Sequence, residues 1–162
     1  MKVSIIKPGT VTTDMATGLL GMVIIARFFG ADNVLYIFQP QGINTKTGRP
    51  VMSYLIEKAR LQDAPECEID IPLDIIGTHV TDTGTGLEGI AIGFSVHQSG
   101  CVHVDIQPSG RLDSNEPKPV TNVDILRLEG ENIPKQTEEE KEEQRQKSPS
   151  PFEGEVMGDP RM

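Results

Sequence analysis

The chain has 162 residues, a formal net charge of −9 at pH 7 and a sequence isoelectric point near 4.8. This acidity argues against a general nucleic-acid binder, because such proteins carry an excess of Lys and Arg. The two cysteines, Cys67 and Cys101, are too few for a disulfide framework or a cysteine-based zinc site. The apolar run 19–29 is too short to span a bilayer, and we expect neither a secretory signal nor membrane insertion.

Short strands are predicted along the first 62 residues, where apolar runs rich in Val and Ile alternate with turns rich in Gly, Pro and Asn. The longest run, 20–28, suggests a strand that bends. Gly18 follows Thr17 at the end of a loop and suits a backbone with positive φ. The predicted strands are 2–7, 11–14, 20–28, 34–39, 51–56 and 59–61.

The same order of elements recurs in the second part of the chain. Residues 9–42 and 77–110 align without a gap, 68 positions apart, and 13 of the 34 aligned pairs are identical. Such a repeat predicts two copies of one unit. The predicted strands of the second copy are 79–82, 90–96, 101–107, 120–125 and 126–128.

Five short strands in about 60 residues, with a glycine-rich first loop, predict an all-β fold of two tandem small SH3-like β-barrels. A pair of β-meanders forming one sandwich is the alternative. The predicted domains are 1–62 and 73–130, joined by a linker at 63–72. Glycines at the barrel corners would let strands cross closely; they are Gly18, Gly21, Gly86 and Gly89.

Residues 131–162 differ in composition and predict an extended, partly helical acidic tail. Residues 137–147 are rich in Glu, Lys and Gln with almost no apolar residue, and we predict one solvated helical stretch there, with Glu138/Glu142 and Lys141/Arg145 at i, i+4 spacing. The apolar residues of the tail, Phe152, Val156 and Met157, cannot form a core alone. We predict that they bind a partner.

Charge and apolar pattern distinguish the two copies. Residues 1–62 hold seven basic and three acidic residues, a net +4, whereas residues 70–130 hold three and nine, a net −6. This asymmetry suits self-association or symmetric assembly, and drift after duplication is the alternative. Leu35 and Ile37 stand where the second copy has His103 and Asp105. A strand that is apolar on both faces is usually covered, so we predict that Leu35 and Ile37 bind a partner.

Candidate chemical sites are few in the sequence. One predicted strand carries three possible metal ligands at alternate positions, Cys101, His103 and Asp105. The first copy lacks these residues, so we expect no metal site. The glycine loops lack the Lys-Ser/Thr of a phosphate loop, so we expect no cofactor. The matched Asp14 and Asp82 should cap their turns by accepting backbone N–H bonds. We expect no enzyme, and Cys67, in an exposed linker, is a candidate for an intermolecular disulfide.

One family resemblance rests on three segments of the second copy: Val80-Thr-Asp-Thr-Gly-Thr-Gly-Leu-Glu-Gly-Ile-Ala91, Ser99-Gly-Cys-Val102 and Ile106-Gln-Pro108. These resemble short proteins of tailed bacteriophages and prophages that carry Val-x-Asp-x-x-Thr-Gly-Phe-x-Gly-Ile-Ala, Gly-Cys and Gln-Pro at similar spacing. Leu87 replaces the usual Phe. The resemblance covers 77–128 best, excludes the tail, and carries no catalytic residues.

The resemblance implies a small β-barrel located in a virion, most simply on the head or neck. We therefore predict a structural protein that decorates or cements the capsid and binds the major capsid protein or other virion proteins. A neck, collar or tail component is the alternative. A weaker resemblance, to the KOW-type barrel of ribosomal and transcription proteins, implies a nucleic-acid-binding regulator; the acidic second copy and the scarcity of aromatic residues count against it.

Overall fold

The computed structural model describes residues 1–30, 32–135 and 137–147, and this part of the chain is mostly β-sheet. The strands are β1 (Lys2–Ile6), β2 (Val11–Asp14), β3 (Leu19–Gly30), β4 (Asn33–Pro40), β5 (Tyr54–Glu57), β6 (Glu66–Asp70), β7 (His79–Asp82), β8 (Glu88–His97), β9 (Val102–Pro108), β10 (Thr121–Asp124) and β11 (Leu128–Gly130). Three 3₁₀ turns lie at Lys58–Arg60, Leu73–Ile75 and Ile125–Arg127, and one helix, α1, spans Glu138–Lys147. The all-β prediction is therefore confirmed.

Nine of these strands form one antiparallel sheet. Its main path runs β10-β9-β8-β3-β4-β5, with β2 paired to the start of β3, and β7 paired to both β8 and β11. Strands β1 and β6 form a separate two-stranded sheet. Within the described residues the sheet does not close into a barrel.

Both copies of the repeat have the same strand arrangement. In the second copy the chain leaves β10 through the turn Ile125–Arg127 and returns as β11 to pair with β7. In the first copy the chain leaves β5 through Lys58–Arg60, and Leu61 returns to form a bridge with Asp14 at the end of β2. The repeat in sequence is thus a repeat in structure, down to the 3₁₀ turn.

The two copies meet where β3 pairs with β8, with Arg27 opposite Ser95 and Phe28 opposite Phe94. The rings of Phe28 and Phe94 stack with their centroids 4.8 Å apart. Aromatic pairs in offset stacks contribute beyond the area that they bury. We call this contact the seam.

A single hydrophobic core contains residues of both copies. Alternate residues of β4, Tyr36 and Phe38, point into it, as do Val104 and Ile106 of β9. Period-two alternation places these side chains on one face of the sheet and their neighbours on the other. The remaining side chains with almost no exposure are Ile5, Ile6, Val23, Ala26, Phe28, Ile56, Ile75, Val80, Ala91 and Phe94.

The predicted corner glycines have two different roles. Gly18 and Gly86 adopt φ of 72° and 75°, which side chains rarely tolerate. Gly21 and Gly89 do not have a positive φ, but the neighbouring strand leaves no space for a side chain. A Cβ at Gly21 would lie 2.4 Å from the Gln39 carbonyl oxygen, and one at Gly89 would lie 2.2 Å from the Gln107 carbonyl oxygen. The neighbouring strand therefore approaches closely because these residues lack a side chain.

Two predicted strands are wrong, and one segment is more ordered than expected. Residues 59–61 and 126–128 lie mostly in the 3₁₀ turns, because the chain must reverse between β5 or β10 and the strand that follows. The segment predicted as a linker, 63–72, contains β6, whose apolar residues pack against the core beside β1.

Helix α1 confirms the predicted helical stretch of the tail. Thr137 precedes it; its hydroxyl accepts the Glu140 N–H at 3.3 Å, and the Glu140 carboxylate accepts the Thr137 N–H at 2.9 Å. This reciprocal pair is a capping box, and the acidic first turn suits the positive end of the helix dipole.

Candidate protein-binding face

The repeated loops hold two buried carboxylates. Asp14 accepts the Ala16 N–H at 3.0 Å and the Thr17 hydroxyl at 2.9 Å. The prediction that Asp14 caps its turn is confirmed. Its side chain is fully buried.

Asp82 repeats this arrangement in the second copy. It accepts the Gly84 N–H at 3.0 Å and the Thr85 hydroxyl at 2.6 Å. Only 2% of its side chain is exposed. Its predicted capping role is confirmed as well.

Each carboxylate also receives an arginine in bidentate fashion. Arg60 donates from Nε and Nη2 to Asp14 at 3.1 and 2.5 Å, and Arg127 donates to Asp82 at 3.1 and 2.6 Å. Tyr54 donates a further hydrogen bond to Asp14 at 2.7 Å. These donors hold both loops in their turn conformation.

These contacts set the acidity of both carboxyl groups. The Arg60 guanidinium holds the pKa of Asp14 well below its usual range, and burial, which works in the opposite direction, is outweighed. For Asp82, burial raises the pKa, but hydrogen bonds from Thr85, Gly84 and Arg127 outweigh it and leave the pKa lowered.

The two arginines were missed by the sequence comparison. The ungapped alignment pairs residues 68 positions apart. In the structure, β10 and the turn after it correspond to β5 and its turn at 67 positions apart, so that Tyr54 matches Thr121 and Arg60 matches Arg127. The loop between the third and fourth strands of the second copy is one residue shorter. An alignment with a single gap after residue 110 would have matched the arginines.

The outer face of the first copy, on the side of the sheet away from the core, is mostly apolar, although Leu35 lies between Arg27 and Glu57 on the neighbouring strands. Leu55, Ile37 and Ile25 lie side by side across β5, β4 and β3, and Leu35 neighbours them. Val11, Leu20 and Leu55 are about half exposed, at 50%, 47% and 50%. We call this surface the apolar face; it consists of Val11, Leu20, Met22, Ile25, Leu35, Ile37 and Leu55.

The corresponding face of the second copy is mostly polar. Glu88 stands in the place of Leu20, His103 of Leu35, Asp105 of Ile37 and Asn122 of Leu55. Since the core-facing positions stay apolar in both copies, the difference is confined to the outer face. An exposed apolar cluster that one copy keeps and the other lacks is typical of a contact surface.

The predicted partner-binding residues fall in two places. Leu35 and Ile37 are half-buried in the centre of the apolar face, while their neighbours Tyr36 and Phe38 are buried in the core. Phe152, Val156 and Met157 lie outside the described residues.

A polar network occupies the seam. Asp105 alternates along β9 with the core residues Val104 and Ile106, yet its side chain is only 7% exposed. It accepts hydrogen bonds from Arg27 of the first copy and from Asn122, each at 2.8 Å. A charge can be buried there because Arg27 reaches across the seam to pair with it.

The two histidines beside this network lie in contact, with ring centroids 4.6 Å apart. His103 donates from Nδ1 to the Asn122 amide oxygen at 2.6 Å, and the His97 ring nitrogen lies 3.3 Å from the Ser95 hydroxyl. Burial, then repulsion from His103, lowers the pKa of His97. Cys101 lies outside β9, and the described residues contain no group of three or more metal-binding side chains.

The positions of the cysteines differ from expectation. Cys67 is half-buried within β6, opposite Ile5, whereas Cys101 is the exposed one. Cys67 borders an apolar groove of about 290 Å³ between the β1–β6 sheet and the end of the β8–β9 hairpin. The intermolecular disulfide remains a prediction.

Comparisons with known proteins add no relatives: no protein-family model, no curated protein and no solved structure matches the chain significantly. Among the described residues, no helix is long and apolar enough to cross a membrane.

Proposed function

We propose that this chain is a non-enzymatic structural protein of a tailed-phage virion, which attaches to the shell by its apolar face and decorates or cements the capsid. The observation that carries the proposal is the contrast between the two outer faces. Leu35, Ile37 and Leu55 keep one face apolar, while His103, Asp105 and Asn122 make the other polar. Binding through such a face stabilises the assembled state by mass action.

The resemblance of residues 77–128 to short phage proteins supports the location in a virion. We further propose that each copy is a small SH3-like barrel. In the second copy the strand order β11-β7-β8-β9-β10, with a 3₁₀ turn before the last strand, supports this fold. In barrels of this size the outer faces of the strands are available to partners, and glycines at the corners let neighbouring strands approach closely.

The first test is composition of purified particles by quantitative mass spectrometry. A copy number near that of the shell protein is expected for decoration. A much lower copy number would indicate a neck, collar or tail component instead. Absence from particles, together with salt-dependent binding of RNA, would overturn the structural function in favour of a KOW-like regulator.

The second test places charge on the apolar face. Leu35→Asp with Ile37→Asp should abolish incorporation into particles, because a carboxylate at a closed apolar contact loses its hydration. Since both side chains are half-buried, Leu20→Asp with Leu55→Asp offers a pair at more exposed positions.

The matched control is Ile90→Asp with Leu126→Asp. Both residues belong to the second copy and are 40% and 42% exposed. Normal incorporation of this control, with loss for both apolar-face pairs, supports the proposal. Normal incorporation of the folded Leu20→Asp, Leu55→Asp variant contradicts it.

A further inference from the structure

The middle of the apolar face carries two opposite charges, one on each side of Leu35. Leu35 on β4 lies opposite Glu57 on β5 and opposite Arg27 on β3. Residues directly opposite each other on antiparallel strands project from the same side of the sheet, about 5 Å apart. A row of side chains in the order carboxylate, leucine, guanidinium therefore crosses the three strands.

The next row along the strands is apolar throughout. Leu55, Ile37 and Ile25 lie opposite one another on β5, β4 and β3. Leu55, at one end of this row, is half exposed, and Ile37 and Ile25 are half-buried. The face thus combines an apolar row with a neighbouring row that has opposite charges at its two ends.

Both rows are self-complementary under a two-fold rotation. An axis parallel to β4, between two sheets packed face to face, exchanges the positions of β3 and β5 and places β4 over β4. Leu55 of one chain then lies against Ile25 of the second chain, Ile37 lies against Ile37, and Glu57 lies against Arg27. Every such pairing occurs twice, as in the isologous contact of a symmetric dimer. Aligned sheets pack in this way about 10 Å apart.

Both charged groups are able to form the pair. Glu57 is exposed, and within the described residues no ion pair involves its carboxylate. Arg27 donates from Nη2 to Asp105, and 32% of its side chain remains exposed. A guanidinium has five N–H donors, so Arg27 can hold Asp105 and donate to a second carboxylate as well.

The second copy does not have this pattern. The row that corresponds to the charged one consists of Ser95, His103 and Asp124. The same rotation about β9 would place Asp124 against Ser95 instead of a cation, with a histidine in the centre instead of a leucine. Self-complementarity is therefore a property of the apolar face in the first copy.

The size of the face indicates a weak contact. Three strands over the length of β3 from Leu20 to Arg27 cover roughly 350 Å² of sheet. Stable protein interfaces bury about 800 Å² on each partner. A dimer through this face alone should therefore be reversible, which leaves the face available to another protein.

We propose that the free chain forms a two-fold dimer through the apolar face, with Leu55 against Ile25 of the second chain and Glu57 paired with its Arg27. The dimer keeps the apolar face from water until the chain meets an assembly partner, and binding to a shell then requires that the dimer dissociate. That last step rests on the proposed function; the dimer does not.

The first measurement is the mass of the full chain as a function of concentration, under reducing conditions so that no disulfide joins two chains. Sedimentation equilibrium should show a change from monomer to dimer between about 10 µM and about 1 mM. Glu57→Arg places two guanidinium groups together and should raise the dissociation constant about tenfold or more. Glu57→Gln, which only removes the charge, should raise it less.

The matched control is Glu88→Arg. Glu88 is an exposed strand residue of the second copy, and its replacement changes the net charge by the same amount as Glu57→Arg. The dissociation constant of this control should equal that of the parent chain. Unchanged amide NMR spectra away from the substituted strand verify that each variant is folded.

The second measurement identifies the residues in contact. A mixture of equal amounts of isotope-labelled and unlabelled parent chains allows isotope-filtered NOE spectroscopy to detect contacts between chains only. We expect NOEs between the methyl groups of Leu55 in one chain and Ile25 in the other. NOEs from Leu55 to Leu55 would instead indicate an axis perpendicular to the strands, which places Glu57 against Glu57, and would contradict the proposed arrangement.

Three outcomes decide the proposal. A dimer that Glu57→Arg weakens and Glu88→Arg preserves, with NOEs between Leu55 and Ile25, supports it. A monomer at every concentration overturns it and leaves the face to a different protein. A dimer that is equally strong in Glu57→Arg, or NOEs between residues of the second copies, overturns it in favour of another surface.

The particle experiments remain separate from this result. If the chain is a monomer but the charged apolar-face variants fail to enter particles, the dimer is wrong and the proposed function stands. If the dimer forms but the folded Leu20→Asp, Leu55→Asp variant enters particles normally, the proposed function is wrong and the dimer stands.

Discussion

Arg27 and Ser95 occupy the same position in the two copies of the repeat, 68 residues apart, and they face each other directly where β3 pairs with β8. Two antiparallel strands related by a local two-fold axis have such a self-paired position, as in the interface of a symmetric dimer. The seam is therefore a dimer-like contact within one chain. Duplication has let its two halves diverge, so that Arg27 now pairs with Asp105 while Ser95 contacts His97.

The first prediction concerns the ion pair across this seam. Within the described part of the chain, Arg27→Ala leaves the buried Asp105 carboxylate with Asn122 as its one side-chain donor, and should lower the free energy of unfolding by about 2 kcal/mol. Urea denaturation of Arg27→Ala, Asp105→Asn and the double variant forms a double-mutant cycle. We expect a coupling energy of about 1 kcal/mol; strictly additive losses would show that the pair contributes nothing to the seam.

The second prediction concerns the close strand approach at Gly89. In Gly89→Ala the new methyl group would meet the Gln107 carbonyl and the Ile106 side chain, so β8 and β9 must separate. We expect a loss of about 2 kcal/mol or more, as for other overpacked sites. Gly30→Ala is the matched control, because nothing lies within 4 Å of the added Cβ at that strand position. Similar melting temperatures for the two variants would contradict the steric account.

Most of the local structure could be predicted from the sequence, because it depends on nearby residues. β2 and β7 were predicted with their observed bounds, and the capping by Asp14 and Asp82 follows from the Thr-Gly turn beside each. Gly21 and Gly89 were identified as corner residues from their repetition alone.

The long-range features could not be predicted in the same way. Pairing of β3 with β8 joins two distant segments, and neither strand carries a local signal that selects this partner over another edge. Burial of Asp105 depends on that pairing, since Arg27 lies on the other copy. The difference between the apolar Leu35 and Ile37 and the polar residues at the same positions of the second copy could be predicted, because it requires only the alignment of the two copies.

The third prediction compares the two buried carboxylates. Among the described residues Arg127 is the one charged donor to Asp82, so Arg127→Ala should cost about 3 kcal/mol of unfolding free energy. Arg60→Ala should cost less, because Tyr54 still donates to Asp14. Urea denaturation measures both.

Tyr54→Phe in the Arg60→Ala background is the control for this comparison. It removes the extra donor and should bring the loss in the first copy close to that of Arg127→Ala. If Arg60→Ala already lowers the free energy of unfolding as much as Arg127→Ala, the hydrogen bond from Tyr54 does not stabilise the Asp14 carboxylate.

The fourth prediction follows from the lowered pKa values of Asp14 and Asp82. An unfolded Asp titrates near pH 4, so below about pH 4 the unfolded chain binds protons that these folded carboxylates do not. Their stabilising contribution is present in full above that pH and is lost as the pH falls through the folded pKa values. The free energy of unfolding, measured between neutral pH and strong acid, should therefore decrease below pH 4. Asp82→Asn cannot titrate and should show a shallower decrease than the parent chain, while other acidic groups contribute equally to both; identical slopes would mean that the Asp82 pKa is not lowered in the folded protein.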